Sequence, residues 1–325
     1  MRKGMFHLII GSILTLSATS AHARQSFDDY VLGLKKDAIA SGINAQLVDD
    51  AFKNVKYKAR AVKADRNQPE KKLTLDTYIQ RAVPKWKVDK AKAMFSKHKQ
   101  LLSSVGEEYG VQPRYIVALW GIETNFGSLT GNFSVVNALT TMAYEGRRET
   151  FFKKELMSSL QILQEGHISL NDFKGSWAGA MGQNQFMPSS FLRYAVDGNQ
   201  DGKKDIWNSL PDVFSSSANY LKQAGWNDNY TWGRVVRVPK GLSPSLVGID
   251  KEKGRSLQFW QSQGIRKNSG AALPDLDITA WLIQPDDGLG RSYLVYGNYQ
   301  SLLDWNRSHY FALAVSYLAD RIKFG

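Results

Sequence analysis

The stretch VALWGIETNFG, residues 117–127, ends an apolar run on an acid, Glu123. Ile116, Leu119, Trp120 and Glu123 recur at helical spacing, so the carboxyl shares a face with bulky hydrophobic groups. Carboxylates are seldom buried without a partner or a task. Low-dielectric surroundings and a place in the last turn, at the negative end of the helix dipole, both favour the protonated form. A carboxylic acid held partly protonated near neutrality suits general acid catalysis on an acetal oxygen. The alternative is a Glu on the rim of a core helix, with no chemistry attached.

Three further groups carry chemistry. Arg147 and Arg148 interrupt two helical patterns and fit either an acidic ligand or a solvated helix junction. The segment Gly175–Pro188, GSWAGAMGQNQFMP, sets Gln183, Asn184 and Gln185 among small residues. Small residues permit close backbone approach, and clustered amides suit the wall of a groove that holds sugar hydroxyls and acetamido groups. A tight turn feeding a helix after Pro188 is the alternative. Asp197-Gly198-Asn199-Gln200-Asp201-Gly202-Lys203-Lys204-Asp205 follows the calcium-loop pattern of an EF-hand. Asp197, Asn199 and Asp201 would present oxygens at positions one, three and five, the Lys203 carbonyl at seven, and Asp205 at nine. Asn208 stands at position twelve, where a bidentate Glu is usual, which weakens the expected site. A structural calcium ion is the expectation, and a metal-free Asx-rich turn the alternative.

These residues need elements to position them. Gly110 and Pro113 mark a break and the first turn of the helix bearing Glu123, and Gly127 closes that element. Upstream, Phe27–Ala40 and Gln46–Lys53 are predicted helices, the second capped by Asn44. Lys56–Lys72 is predicted polar and irregular, with a turn around Asn67-Gln68-Pro69, and Thr74–Val83 a short helix ended by Pro84. Periodicity predicts one long helix from Asp89 to Tyr109. Beyond the Glu123 segment, Val135–Tyr144, Phe151–Glu165, a stretch from Pro211 to Ala224, Gln300–Trp305 and His309–Ile322 read as helices. Trp232–Val238, Leu257–Trp260, Ile278–Ile283 and Ser292–Tyr296 read as strands of a small lobe.

The 325 residues are 43% apolar, too high a share for a disordered chain, and they include no cysteine. Disulfides, thiolate metal sites, cysteine nucleophiles and a lipid-modified N-terminal cysteine are therefore excluded. Arg2 and Lys3, an apolar stretch through Leu16 and Ala21-His22-Ala23 read as a secretory signal over residues 1–23. The net charge is +12, and removing Arg2 and Lys3 leaves +10. For an exported chain, an acidic wall polymer or anionic surface fits that charge better than nucleic acid, which is not expected as a partner. No stable membrane span is expected after the signal.

The order of features resembles the lytic murein transglycosylase B family. The resemblance rests on GIETNFG at 121–127, LTTMAYEGRR at 139–148, GSWAGAMGQNQFMPSS at 175–190, the Asp-rich turn at 197–208 and YGNYQSLLDWNRSHYFALAV at 296–315. It covers almost the whole exported chain. It implies an α+β, mainly α fold: an N-terminal helical region (24–100), a lysozyme-like catalytic core with the calcium-loop-like insertion (101–226), a small β-containing lobe (227–295) and a C-terminal helical segment on the core (296–325).

It further implies a peptidoglycan lytic transglycosylase, a lyase that cuts the MurNAc-β-1,4-GlcNAc bond without water and leaves a 1,6-anhydromuramoyl end. Glu123 matches its sole catalytic carboxylate, acting as acid and then base. Arg147, Arg148, Ser176, Gln185, Asn298 and Asn306 match substrate-side positions, and the calcium loop is a family feature. No cofactor is required for the chemistry. Peptidoglycan strands are the expected partner, with other cell-wall enzymes beside them, and a periplasmic monomer is expected. Two departures stand out: QNQF replaces an aromatic-Gly-Gln-Phe pattern, and Trp305 stands where a Tyr precedes Asn, so a hydroxyl contact is expected to be lost. A hydrolytic muramidase, with Glu107, Glu108 or Glu145 as second carboxylate, and a non-catalytic wall-binding protein remain alternatives.

Overall fold

The structure, a computed structural model, describes residues 25–66 and 73–324. The expected export signal and the expected turn around Asn67-Gln68-Pro69 lie outside the described residues. The described chain opens with α1 (Phe27–Ala40), α2 (Ala45–Phe52) and α3 (Ala59–Arg66). Asn44 caps α2 as expected, its Oδ1 accepting the Leu47 N–H at 3.1 Å. Helix α3 falls inside the stretch expected to be irregular. It is polar overall, which hid it from the sequence reading, and it buries Ala61, Val62 and Asp65.

Next come α4 (Leu75–Ala82), α5 (Lys85–Lys97), α6 (Lys99–Tyr109) and α7 (Pro113–Thr124). The single helix expected over 89–109 is thus two, bent at His98. Packing is the cause: the His98 ring lies edge-on to Trp120 and Phe214, each at 6.0 Å. After α7 come β1 (Phe133–Ser134), α8 (Val135–Glu145), α9 (Glu149–Gln164), β2 (Lys174–Gly175), α10 (Pro188–Tyr194) and α11 (Leu210–Gln223). The lobe follows as β3 (Gly233–Arg237), β4 (Arg255–Ser256), α12 (Leu257–Ser262), β5 (Arg266–Lys267), β6 (Thr279–Ile283) and β7 (Ser292–Val295). The chain returns to helix in α13 (Gly297–Trp305) and α14 (His309–Phe324).

Strand β1 pairs antiparallel with β2, and the lobe is a five-stranded sheet in the order β4-β6-β7-β3-β5. Three of its expected strands are present; Leu257–Trp260 is helical instead. Ser256 accounts for the difference, because its hydroxyl caps the Phe259 N–H at 3.2 Å and starts a helix where composition suggested a strand. The fold is α+β and mainly α, a lysozyme-like helical core with a small β lobe. Among the described residues, no helix is long and apolar enough to cross a membrane.

Two main apolar cores meet in the middle of the molecule. One gathers α4–α7, α11, α13 and α14 with the inner face of the lobe. The other gathers α1–α3 with α8, α9 and α10. The N-terminal stretch accordingly divides, α1–α3 joining one core and α4 and α5 the other. Trp305 packs against both cores. Helix α7 is the axis of the first: residues 114–121 are all buried, hemmed in by α14, α5, α6 and α11. A helix apolar all round belongs in a core, so Glu123 is carried on a rigid element.

Candidate active site

Glu123 is the penultimate residue of α7 and only partly exposed. The helix stops one residue later because Asn125 adopts a left-handed conformation (φ 52°), followed by Phe126 (φ 60°) and Gly127 (φ 78°). Three successive residues in that region store strain for the non-glycines, which the surroundings must offset. The holding bonds are visible: the Gly127 N–H donates to Thr124 Oγ1 at 3.1 Å, and the Thr124 hydroxyl donates to the Gln183 carbonyl at 3.0 Å. A Cβ on Gly127 would lie 2.3 Å from Gln183 Oε1, so this position needs glycine for space as well as for φ.

Burial pushes the Glu123 carboxyl up from its ordinary 4.5 to about 7, against a lowering hydrogen bond from Trp305. That bond is short, the indole N–H donating to Oε1 at 2.7 Å. The sequence reading expected the loss of a hydroxyl contact at 305 and did not anticipate that Trp305 aims an indole N–H at the acid. No signal in the sequence placed residue 305 against residue 123, which lie 182 positions apart. Trp305 is held in turn by Phe186 and Tyr220, with ring centroids 5.2 and 4.8 Å away. The Tyr220 hydroxyl donates to the Asp304 carbonyl at 2.7 Å.

The amide-rich segment is a scaffold directly behind this acid. Gln183 Oε1 accepts from the Trp120 indole at 2.7 Å, and Gln183 Nε2 donates to the Trp207 carbonyl at 2.8 Å. Asn184 Nδ2 donates to the Val213 carbonyl and the Ser217 hydroxyl, both at 2.7 Å. Gln185, at φ 52°, donates to the carbonyls of Thr130 and Gly182 at 3.1 and 3.0 Å. Ser176 Oγ accepts the N–H groups of Ala178 and Ala180 at 3.3 and 3.0 Å. Ser176 and Gln185 remain partly exposed, whereas Gln183 and Asn184 are buried.

The other matched positions divide. Arg147 and Arg148 converge on the nearly buried Asp65 of α3, the second at 3.0 Å, and fasten that helix to the α8–α9 junction. Asp65 escaped the sequence reading because the partner lies more than 80 residues away. Asn298 is fully buried, its amide donating to the Asn227 and Tyr230 carbonyls and accepting the Asn227 N–H, so its side chain ties the lobe to α13. Asn306 is partly exposed, and its Oδ1 accepts the Ser308 N–H at 3.1 Å.

None of the three carboxylates considered as a second catalytic group adjoins Glu123. Glu107 borders a cavity with Pro113 at the opposite end of α7, about 15 Å away along the helix axis. Glu108 sits beside it on α6. Glu145 ends α8, engaged by Arg66 and the Tyr57 hydroxyl.

In the Asp-rich turn, Asp197 accepts the N–H groups of Asp201 and Gly202, and Asp201 accepts that of Lys203 at 2.9 Å. The donors are all hard oxygens, the chemistry a calcium ion takes. Asn208, at position twelve, points its amide at the Asp205 carboxylate, at 3.4 and 3.3 Å. The acid that closes the loop is Asp212, fully buried at the start of α11, accepting from Gly198 N at 2.9 Å and Asp205 N at 2.7 Å. Among the described residues, no group of three or more His, Cys, Asp or Glu side chains is gathered closely enough to hold a metal. The loop's exit reaches the amide scaffold, where the Gln183 N–H donates to the Ile206 carbonyl at 2.8 Å.

A mainly helical core that presents one protonatable Glu beside an amide-lined turn defines a class, and residues 26–320 match the family described as the transglycosylase SLT domain. The chain belongs to that family. It is 31% identical over 236 residues to the membrane-bound lytic murein transglycosylase B of Escherichia coli K12, an alignment covering 70% of this chain and 62% of that relative's length. Its fold is similar to SltB3 from Pseudomonas aeruginosa, solved in complex with NAG-anhNAM-pentapeptide (TM-score 0.87, 40% identity, 93% of this chain and 80% of that one). It is also similar to the Escherichia coli lytic transglycosylase Slt35, solved in complex with calcium (TM-score 0.78, 25% identity, 90% and 92%).

Proposed function

We propose that the protein is an exported peptidoglycan lytic transglycosylase, active in the periplasm, that cleaves the MurNAc-β-1,4-GlcNAc bond and forms 1,6-anhydromuramoyl ends. The observation that carries this reading is the Glu123 carboxyl, partly exposed and poised at about 7. Such a group can both give and take a proton near neutrality. Protonated Glu123 donates to the glycosidic oxygen as C1 gains oxocarbenium character, which the N-acetyl carbonyl offsets. The carboxylate then accepts the C6 hydroxyl proton while that oxygen attacks C1. An internal nucleophile needs no second carboxylate, because it is already at high effective concentration. A pair of carboxyl groups about 5–9.5 Å apart would be the requirement for hydrolysis.

Ser176, Gln185 and Asn306 are the matched polar residues with exposed surface for glycan contacts. Arg147 and Arg148 keep exposed guanidinium surface beyond their bonds to Asp65, which suits acidic groups on the strand. A structural calcium ion would be held by oxygens of Asp197, Asn199, Asp201, Lys203, Asp205 and, more weakly, Asn208, the related Slt35 having been solved with calcium. Its contribution would be rigidity of the loop behind Gln183.

Digestion of purified peptidoglycan followed by mass spectrometry tests the reading. Anhydro-muropeptides, absent with Glu123→Gln, are expected. Reducing-end products in their place would make the protein a muramidase, and glycan binding without turnover would make it a binding protein.

A further inference from the structure

Resting on the reading of Glu123 as acid and then base, we propose that Trp305 is a positioning residue that gives the two carboxyl oxygens separate tasks. Its indole N–H holds Oε1 as a standing acceptor and leaves Oε2 to deliver and recover the proton. An indole nitrogen donates and never accepts, unlike a phenol hydroxyl, which does both. In the protonated acid the carbonyl oxygen is a better acceptor than the hydroxyl oxygen, so the indole favours Oε1 as the carbonyl and the proton on Oε2. After proton transfer the same bond becomes charge-assisted and stronger, stabilising the carboxylate that must act as base.

The donor is fixed well enough to do this. Trp305 ends α13, is packed against both apolar cores and forms a ring cluster with Phe186 and Tyr220. Its reach to Oε1 therefore follows from how the cores meet. Other titratable groups on the surrounding elements are engaged elsewhere. Lys90 of α5 donates to the Asn125 carbonyl at 3.4 Å, His98 faces Trp120 and Phe214, and the Tyr220 hydroxyl is spent on the Asp304 carbonyl. Asp304 and Arg307, flanking the turn after α13, have their electrostatic effect on Tyr220. Desolvation and the indole bond are the two influences on Glu123 itself.

Carbon-13 NMR titration of protein labelled at Glu Cδ reads the contact without substrate, in wild type, in Trp305→Phe and in a chain carrying 3-benzothienylalanine at 305. The last removes only the N–H and keeps the bicyclic shape, which covers the case in which the Phe variant folds poorly. The Glu123 titration is expected to move up by about one pH unit in both, and Trp305→Tyr, which keeps a donor, is expected to move it less. On peptidoglycan, kcat is expected to fall about tenfold with KM nearly constant, and the alkaline limb of the kcat profile to follow the titration. A Glu123 titration unchanged by the benzothienyl replacement would overturn the proposal, as would a shifted titration with wild-type kcat and pH profile. Wild-type protein that shows the titration but makes no anhydro product would instead overturn the functional reading.

Discussion

Glu123 and Asp212 are both carboxyl groups that burial pushes above their ordinary range, yet their surroundings treat them oppositely. Asp212 accepts two backbone N–H groups that would otherwise be stranded, and it holds both ends of the Asp-rich turn. Glu123 accepts from one side-chain donor, the Trp305 indole, on Oε1. A carboxylate wrapped in backbone donors is structural, because moving its proton would cost those bonds. One buried among rings with a single donor is poised, because neither protonation state is strongly preferred near neutrality. The deeper of the two, Asp212, is the one tied by more fixed donors.

The strongest test of that contrast is exchange at each acid. Glu123→Gln is expected to reduce turnover by at least about a thousandfold while the protein folds normally, measured by release of soluble muropeptides. Asp212→Ala is expected to do the reverse in kind: about 1–3 kcal/mol of stability lost in denaturant melts, since two N–H groups lose their partner, with calcium binding by calorimetry weakened as well. Equal effects on activity and stability at both sites would erase the distinction.

A pH series sharpens it. The raised pKa of Glu123 means that the native state binds its proton more tightly than the unfolded chain does. Wild-type stability therefore carries no burial penalty below about 4.5, loses ground as pH rises through about 7, and bears the full penalty above that. Glu123→Gln should match wild type at pH 4 and exceed it at pH 8 by about 3 kcal/mol. Turnover by wild type should fall above about pH 7 as the acid form is depleted.

Smaller effects are expected at the periphery. Asp65→Asn weakens two ion pairs whose arginines are largely solvated, so about 1 kcal/mol is expected, seen as a thermal shift of a few degrees. If Arg147→Ala and Arg148→Ala change KM more than they change melting, ligand contact outweighs their structural bond.

Much was legible locally. Pro113 and Gly110 framed α7, Asn44 capped α2, and the apolar periodicity set Glu123 on a buried helix face. The break at His98, helix α3 and the capped start of α12 were not, since each depends on a partner or a single side-chain bond that periodicity does not register. The Asp-rich turn was read as a loop from its Asx and Gly spacing, but that spacing gave no sign that Asp212, beyond the turn, accepts the N–H groups of Gly198 and Asp205.

By itself, then, the sequence singled out Glu123 as the candidate acid, because helical spacing and an apolar face are properties of neighbours in the chain. It also determined that the fold is mainly helical with a β lobe. Only the tertiary structure decided what that acid touches, that Arg147 and Arg148 grip Asp65, and that Asn298 is buried. The physical reason is range: spacing encodes contacts within a few turns, whereas the meeting of Trp305 and Glu123 arises from how two cores pack.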